Sequence, residues 1–296
     1  MKWMALIVLT VSLACIPMLA QEKAPAAGAA GLAPAGAHTA GADWIAAAKE
    51  THAKFKGEKG TLANFGDSIT ISGAYWQSIQ GGGKNMDKPT QAAYDLVKSH
   101  MKKDCWGWKG PEYGNTGSMT INWARDNVDK WLAKTNPEVA IIMFGSNDCP
   151  GMKLEEYEAS YRTVIEKCAA NGTILVLMTM PPKHGCDEKA KLYVEVVRKL
   201  AKECKLPLSD YYKAIKDRRP DDWDGADAKF KPAEGEKADV YNVKAPISRD
   251  GVHPSNPSAY GGDFSEEGLK NNGFLLRSWC SLMSYADVIA NACQTK

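Results

Sequence analysis

The sequence carries almost no excess charge of either sign: 37 Lys and Arg stand against 35 Asp and Glu, a net charge of +2. The lysines are spread along the chain, so the basic footprint of a nucleic-acid-binding protein is absent and no nucleic acid is expected as a partner. Long apolar runs are also scarce. The leader-like run from Met4 to Ala14 is shorter than the roughly 20 residues a membrane span requires. Gly81-Gly82-Gly83-Lys84 lacks the further glycine and the Lys-Ser/Thr ending of a phosphate loop. No two cysteines show close zinc-ligand spacing. The acids around Asp222-Trp223-Asp224-Gly225 do not complete a calcium loop. No metal site is therefore expected. What the chain does have is nine tryptophans and eleven tyrosines, rings that pack cores and also line carbohydrate sites.

Residues 1–20 read as an export signal, with Lys2 as a minimal basic start, Pro17 after the apolar run and Ala20 as its last residue. Ser12-Leu13-Ala14-Cys15 offers the alternative of a lipoprotein lipidated at Cys15, the one case in which a membrane becomes a partner. The expected location is periplasmic or extracellular. Residues 21–42, nearly all Ala, Gly and Pro from Ala24 to Gly41, lack side chains that offset the entropy of ordering and read as a flexible tether. A single folded domain is expected over 43–296, with insertions near 81–113 and 213–245. Apart from Cys15 there are seven cysteines, an odd number. Two or three disulfides are expected in an exported chain, with partners unassigned. Cys168 and Cys204, in helical patterns, also read as small buried residues.

Strand-like runs at 61–65, 138–144, 173–179 and 206–210 alternate with helical patterns at 44–55, 69–80, 89–103, 119–134, 153–171 and 188–205. This alternation predicts an α/β fold with a parallel sheet between helices. A further one or two helices over 265–292 close the domain. The segment from Lys213 to Ala245 is polar and reads as a solvated insertion or lid.

Chemistry is suggested where strands end. The first strand runs into Gly66-Asp67-Ser68, placing a hydroxyl at the carboxyl edge of the sheet and its N–H at a helix start. Asp67 or Ser68 as a simple helix cap is the competing reading. Gly114 and Gly117 precede another helix, where backbone can approach a ligand closely. The second strand ends in Gly145-Ser146-Asn147-Asp148, and Asn147 can aim its amide at the Ser68 site. In Asp250-Gly251-Val252-His253 a carboxylate stands three residues before a histidine, a spacing that can fix the imidazole to take a serine proton. His38, His52, His100 and His184 have no such partner and read as surface or core residues.

These four blocks, in this order, resemble those of the SGNH, or GDSL, hydrolases. The resemblance spans Asn64 to Pro254 and implies a flavodoxin-like three-layer α/β/α sandwich. It implies Ser68 as nucleophile, His253 as general base and Asp250 as the group orienting it. The oxyanion hole would combine the Ser68 N–H, the Gly114 N–H and the Asn147 amide. Asp67 and Asp148 would hold loops by local hydrogen bonds, and neither a metal nor an organic cofactor is required. The expected activity is that of an exported serine esterase acting on O-acyl, chiefly O-acetyl, esters of a small molecule or polysaccharide. Trp106, Trp108 and Tyr113, beside the second block, are candidate substrate contacts, with a local hydrophobic cluster as the alternative. A GDSL-type lipase or lysophospholipase, an acyltransferase with the same residues, and an inactive carbohydrate-binding protein of the same fold are the competing functions.

Overall fold

A computed structural model describes residues 43–232 and 238–294. The expected signal, Cys15 and the tether lie outside the described residues. Four strands, β1 (Leu62–Gly66), β2 (Val139–Met143), β3 (Ile174–Met178) and β4 (Leu208–Ser209), form one parallel sheet in the order β1-β2-β3-β4. Leu62 pairs with Val139, Val139 with Ile174 and Leu177 with Leu208. Every residue of β2 and β3 is buried, as expected of a parallel sheet covered on both faces.

The alternation of side chains along each strand divides the core in two. Ala63, Phe65, Ala140, Ile142, Leu175 and Leu177 face α4 (Ile121–Thr135), α5 (Leu154–Asn171) and α6 (Asp187–Glu203). The opposite face packs against α1 (Asp43–His52), α3 (Lys88–His100), α7 (Tyr211–Arg218) and α9 (Gly273–Val288). This is the α/β three-layer fold anticipated above. Helix α9 is buried on nearly all sides, which is why its sequence shows no polar stripe. Gly172, in the left-handed region at φ +81°, ends α5 and delivers the chain to β3.

The helix expected over 69–80 is much shorter: α2 spans only Ser68–Ile71. Its core contacts survive without it, because Tyr75, Trp76 and Ile79 are buried on an irregular path in which Trp76 takes φ +53°. The segment after α7 is also more ordered than a solvated insertion. Trp223 and Asp224 are buried there, and Gly225 donates its N–H to Ile247 O. A Cβ at Gly225 would stand 2.2 Å from that oxygen, so only glycine fits. Helix α8 (Glu266–Asn271) and α9 are the two closing helices.

Glu138, just before β2, is fully buried. Its carboxylate meets His52 Nε2 and His100 Nε2, each at 2.8 Å, and accepts the Gly60 N–H. A buried charge needs such partners. His52 is thus a core residue, and His100 reaches in from the rim of the core.

Candidate active site

At the carboxyl end of β1, Asp67 caps α2, its Oδ1 accepting the Ile69 N–H at 3.0 Å. Gly66 must be glycine, since a Cβ would fall 2.0 Å from Thr70 Oγ1. The turn after Ser68 is gripped from below by Arg277 of α9, which is fully buried. It donates to Ile69 O and Thr70 Oγ1, both at 2.8 Å, and lies 3.7 Å over the Tyr75 ring. No local pattern in the sequence marks Arg277 as a buried cation.

Ser68 Oγ lies 2.9 Å from His253 Nε2, and His253 Nδ1 lies 2.8 Å from Asp250 Oδ2. The other carboxylate oxygen, Asp250 Oδ1, accepts from Ser248 Oγ and from the Val252 and His253 N–H groups. Gly251 sits at φ +73°, the left-handed value that folds the turn back on itself. Burial alone would raise the Asp250 pKa. The bonds from His253, Val252 and Ser248 outweigh it and hold the carboxyl well below its usual range. The bond to Asp250 in turn raises His253 above the ordinary histidine value, against an opposing effect of burial. This chain of bonds can pass a hydroxyl proton to an imidazole whose tautomer the carboxylate fixes.

The Asn147 amide is close by but already engaged. Its Nδ2 donates to Asp67 Oδ2 at 3.2 Å and to Met119 O at 3.0 Å. Both amide hydrogens have partners, so donating to a ligand means releasing one of them. Asp148 Oδ1 accepts the Ile121 N–H and holds the start of α4. Burial pushes Asp67 up to about 6 and Asp148 to about 7. Among the described residues, Asp148 Oδ2 is buried without a partner, the natural place for a proton.

The glycine expected in the oxyanion hole is a correction. The Gly114 N–H donates to Pro111 O at 3.0 Å, and its carbonyl accepts from Gly66 N. Gly114 lies at φ +96° against Phe65 and Trp131, where it packs the outer edge of β1. Gly117 is the other glycine of the same block. It follows Thr116, which donates to Gly66 O, and shortly precedes Met119, which accepts from Asn147. Among the described residues its N–H has no partner. The motif contained both glycines, and only the turn geometry separates them.

The aromatic contacts part company too. Trp106 is buried and stacks on Trp76 at 4.8 Å, as part of the hydrophobic core. Tyr113 lies between Lys109 and Lys134, each 5.6 Å from its ring, beside the outer edge of β1. Trp108 is 48% exposed. None of the three joins the Ser68–His253 pair in a described contact. Tyr241 is the ring that does adjoin this pair: 38% exposed, it stands edge-on to His253 at 6.1 Å. It lay in the polar segment where sequence offered no periodicity.

The disulfides expected from export are not formed among the described cysteines, all seven of which carry free thiols. Cys168, Cys280 and Cys293 are buried singly in the core, whereas Cys149 and Cys186 approach to 2.8 Å between sulfurs. Among the described residues, two groups combine metal-type ligands, His52 with Glu138 and Cys293, and His184 with Asp224 and Asp227. In the first, both Glu138 oxygens are already occupied by hydrogen bonds.

Residues 65–257 match the model of the GDSL-like lipase/acylhydrolase family, which takes in the Ser68, Gly117, Asn147 and His253 positions. The chain belongs to the GDSL-like lipase/acylhydrolase family. It is accordingly a carboxylic ester hydrolase. No curated protein matches the chain. Among solved structures, a lipase/acylhydrolase from Enterococcus faecalis is similar at 17% identity, over 76% of this chain and 94% of its own, with a TM-score of 0.46. An acetylxylan esterase from Geobacillus stearothermophilus shows 17% identity over 81% and 98%, also at 0.46. A psychrotrophic esterase from Pseudoalteromonas sp. shows 15% over 75% and 94%, at 0.45.

Proposed function

We propose that this GDSL-family hydrolase is an exported esterase that removes O-acetyl groups from carbohydrate. The observation that carries the chemistry is the continuous hydrogen-bonded chain from Ser68 Oγ through His253 to Asp250. Ser68 attacks the ester carbonyl while His253 takes its proton, and Asp250 stabilises the imidazolium that forms. The Ser68 N–H at the start of α2, the Gly117 N–H and the Asn147 amide receive the oxyanion, Asn147 by letting go of Met119 O. Each such donor is worth about 10²–10³ in rate. His253 returns the proton to the leaving alcohol, and water then hydrolyses the acyl-enzyme through the same base.

Tyr241 supports a sugar as the alcohol. An exposed ring held beside the general base offers an apolar face to a pyranose and a hydroxyl to its rim. The leader-like N-terminus supports export. An acetylxylan esterase is among the similar structures, but its substrate is that protein's own.

The test is acetate release from acetylated xylan and hydrolysis of nitrophenyl esters of two to eight carbons, by wild type and Ser68→Ala. Acetate release lost in the variant, with acetate preferred over octanoate, is the expected result. A preference for octanoate would replace the deacetylase with a lipase. Equal activity in wild type and variant would remove Ser68 from the mechanism.

A further inference from the structure

A second aspartate–histidine pair lies against the first. His184 Nδ1 bonds Asp224 Oδ2, and the His184 backbone N–H donates to Gly251 O at 2.9 Å, inside the turn that carries Asp250 and His253. The contact is close: a Cβ on Gly251 would stand 2.4 Å from the Cβ of His184. The two members of the pair differ in exposure. The Asp224 side chain is 9% exposed and that of His184 is 53% exposed. Asp224 is fixed in place, since its Oδ1 accepts the Ala226 N–H and its backbone bridges to Ile247. The neighbouring Lys183 is anchored to Ser146 O, next to Asn147, at 2.8 Å.

A buried carboxylate on Nδ1 sets an imidazole's orientation and tautomer, and leaves Nε2 as an acceptor. Among the described residues, Nε2 of His184 has no hydrogen-bond partner. An exposed histidine needs no buried aspartate to be soluble, and this one is held by a residue forty positions away across the body of the domain. Through Gly251 the pair is joined to the turn that carries His253, the base that returns a proton to the leaving alcohol in the proposed reaction.

We infer that His184 is a specificity residue, whose Nε2 accepts a hydrogen bond from a hydroxyl of the substrate's alcohol, adjacent to the carbon bearing the ester. Asp224 positions the ring without touching substrate. The inference rests on the carbohydrate-ester reading and deepens it: it selects a polyhydroxylated alcohol over an apolar one of the same size.

The experiment compares a methyl xyloside monoacetate with cyclohexyl acetate, which has a ring of similar size and no free hydroxyl. The readout is the ratio of their kcat/KM values in wild type, His184→Ala, His184→Gln and Asp224→Asn. Wild type should favour the xyloside. His184→Ala should lower the ratio about tenfold, mainly through the KM of the xyloside, as loss of one hydrogen bond to a hydroxyl implies. His184→Gln, which keeps an acceptor, should recover part of the ratio, and Asp224→Asn should lower it less than His184→Ala. An unchanged ratio in His184→Ala overturns the inference, including when both rates fall together, since that marks a role in holding the Gly251 turn. A wild type with no preference for the xyloside overturns the carbohydrate reading itself, and does so before any variant is made.

Discussion

Asn147 reaches across from the end of β2 to donate its amide to Asp67, 3.2 Å away at the end of β1. Two loops that meet only in the folded chain are thereby locked at the point where Ser68 stands. Replacing Asp67 with Asn keeps the shape but sets an amide against the Asn147 amide, and it removes a negative charge that raises the His253 pKa. Asp67→Asn should lower kcat about tenfold, roughly 1.4 kcal/mol of barrier. It should also move the acidic limb of the rate profile to lower pH. A lower kcat with an unmoved limb would mean that Asp67 acts on Asn147 alone.

The pH dependence has a definite sign. His253 accepts a proton only when neutral, and the bond to Asp250 raises its pKa above the ordinary 6.5. For a neutral ester, kcat/KM should therefore rise with pH through a midpoint above 6.5 and level off beyond it. His253 bound to Asp250 contributes stability that is full below 6.5 and lost as pH rises through the folded value, opposite to the activity. Stopped assays on nitrophenyl acetate between pH 5 and 9 would show it. A plateau already reached at pH 5.5 would contradict the pairing.

The two glycines of the second block should behave differently. At Gly114 a Cβ would meet Phe65 at 2.4 Å and Trp131 at 3.0 Å, with φ at +96°. Gly114→Ala should cost about 2–4 kcal/mol of stability, through strain and overpacking. At Gly117 a Cβ meets no described residue within 4 Å. Gly117→Ala should fold with an unfolding midpoint near that of wild type. Urea melts of both variants check the pair of outcomes.

Oxidation should be selective. Cys149 and Cys186 approach to 2.8 Å, while Cys168, Cys280 and Cys293 are buried apart. On treatment with oxidised glutathione the pair should form a mixed disulfide at the half-exposed Cys186 and then close on Cys149, releasing two molecules of reduced glutathione. Peptide mapping without reductant should find this linkage and no other.

The strands and the Ser68, Asn147, Asp250 and His253 cluster were legible because their signals are local. Each strand is a short apolar run, and each motif sits within a few residues of a strand end or a tight turn. Trp106 shows why other features were not: composition marks a ring without saying which way it faces, and its stacking partner Trp76 is thirty residues away. Arg277 was invisible for a similar reason. A buried cation is read from the sequence as an exposed one until α9 is seen to pass beneath α2. The His184–Asp224 pair depends on the packing of Gly225 against Ile247, which no periodicity reports. The excess of disulfides came from counting thiols without knowing their depths.

The clasp on Glu138 decides where this enzyme can be cut. His52, on the helix that precedes the first strand, is one of the three groups that make a buried carboxylate tolerable there. Trimming the chain back to Gly57 would look harmless in a sequence map, because the catalytic motifs all lie beyond it. It would instead leave that charge short of a partner at the foot of the sheet, at about 3–5 kcal/mol. Helix α1 is thus a fixed anchor for whatever precedes it, and a minimal domain for expression or fusion starts at Asp43.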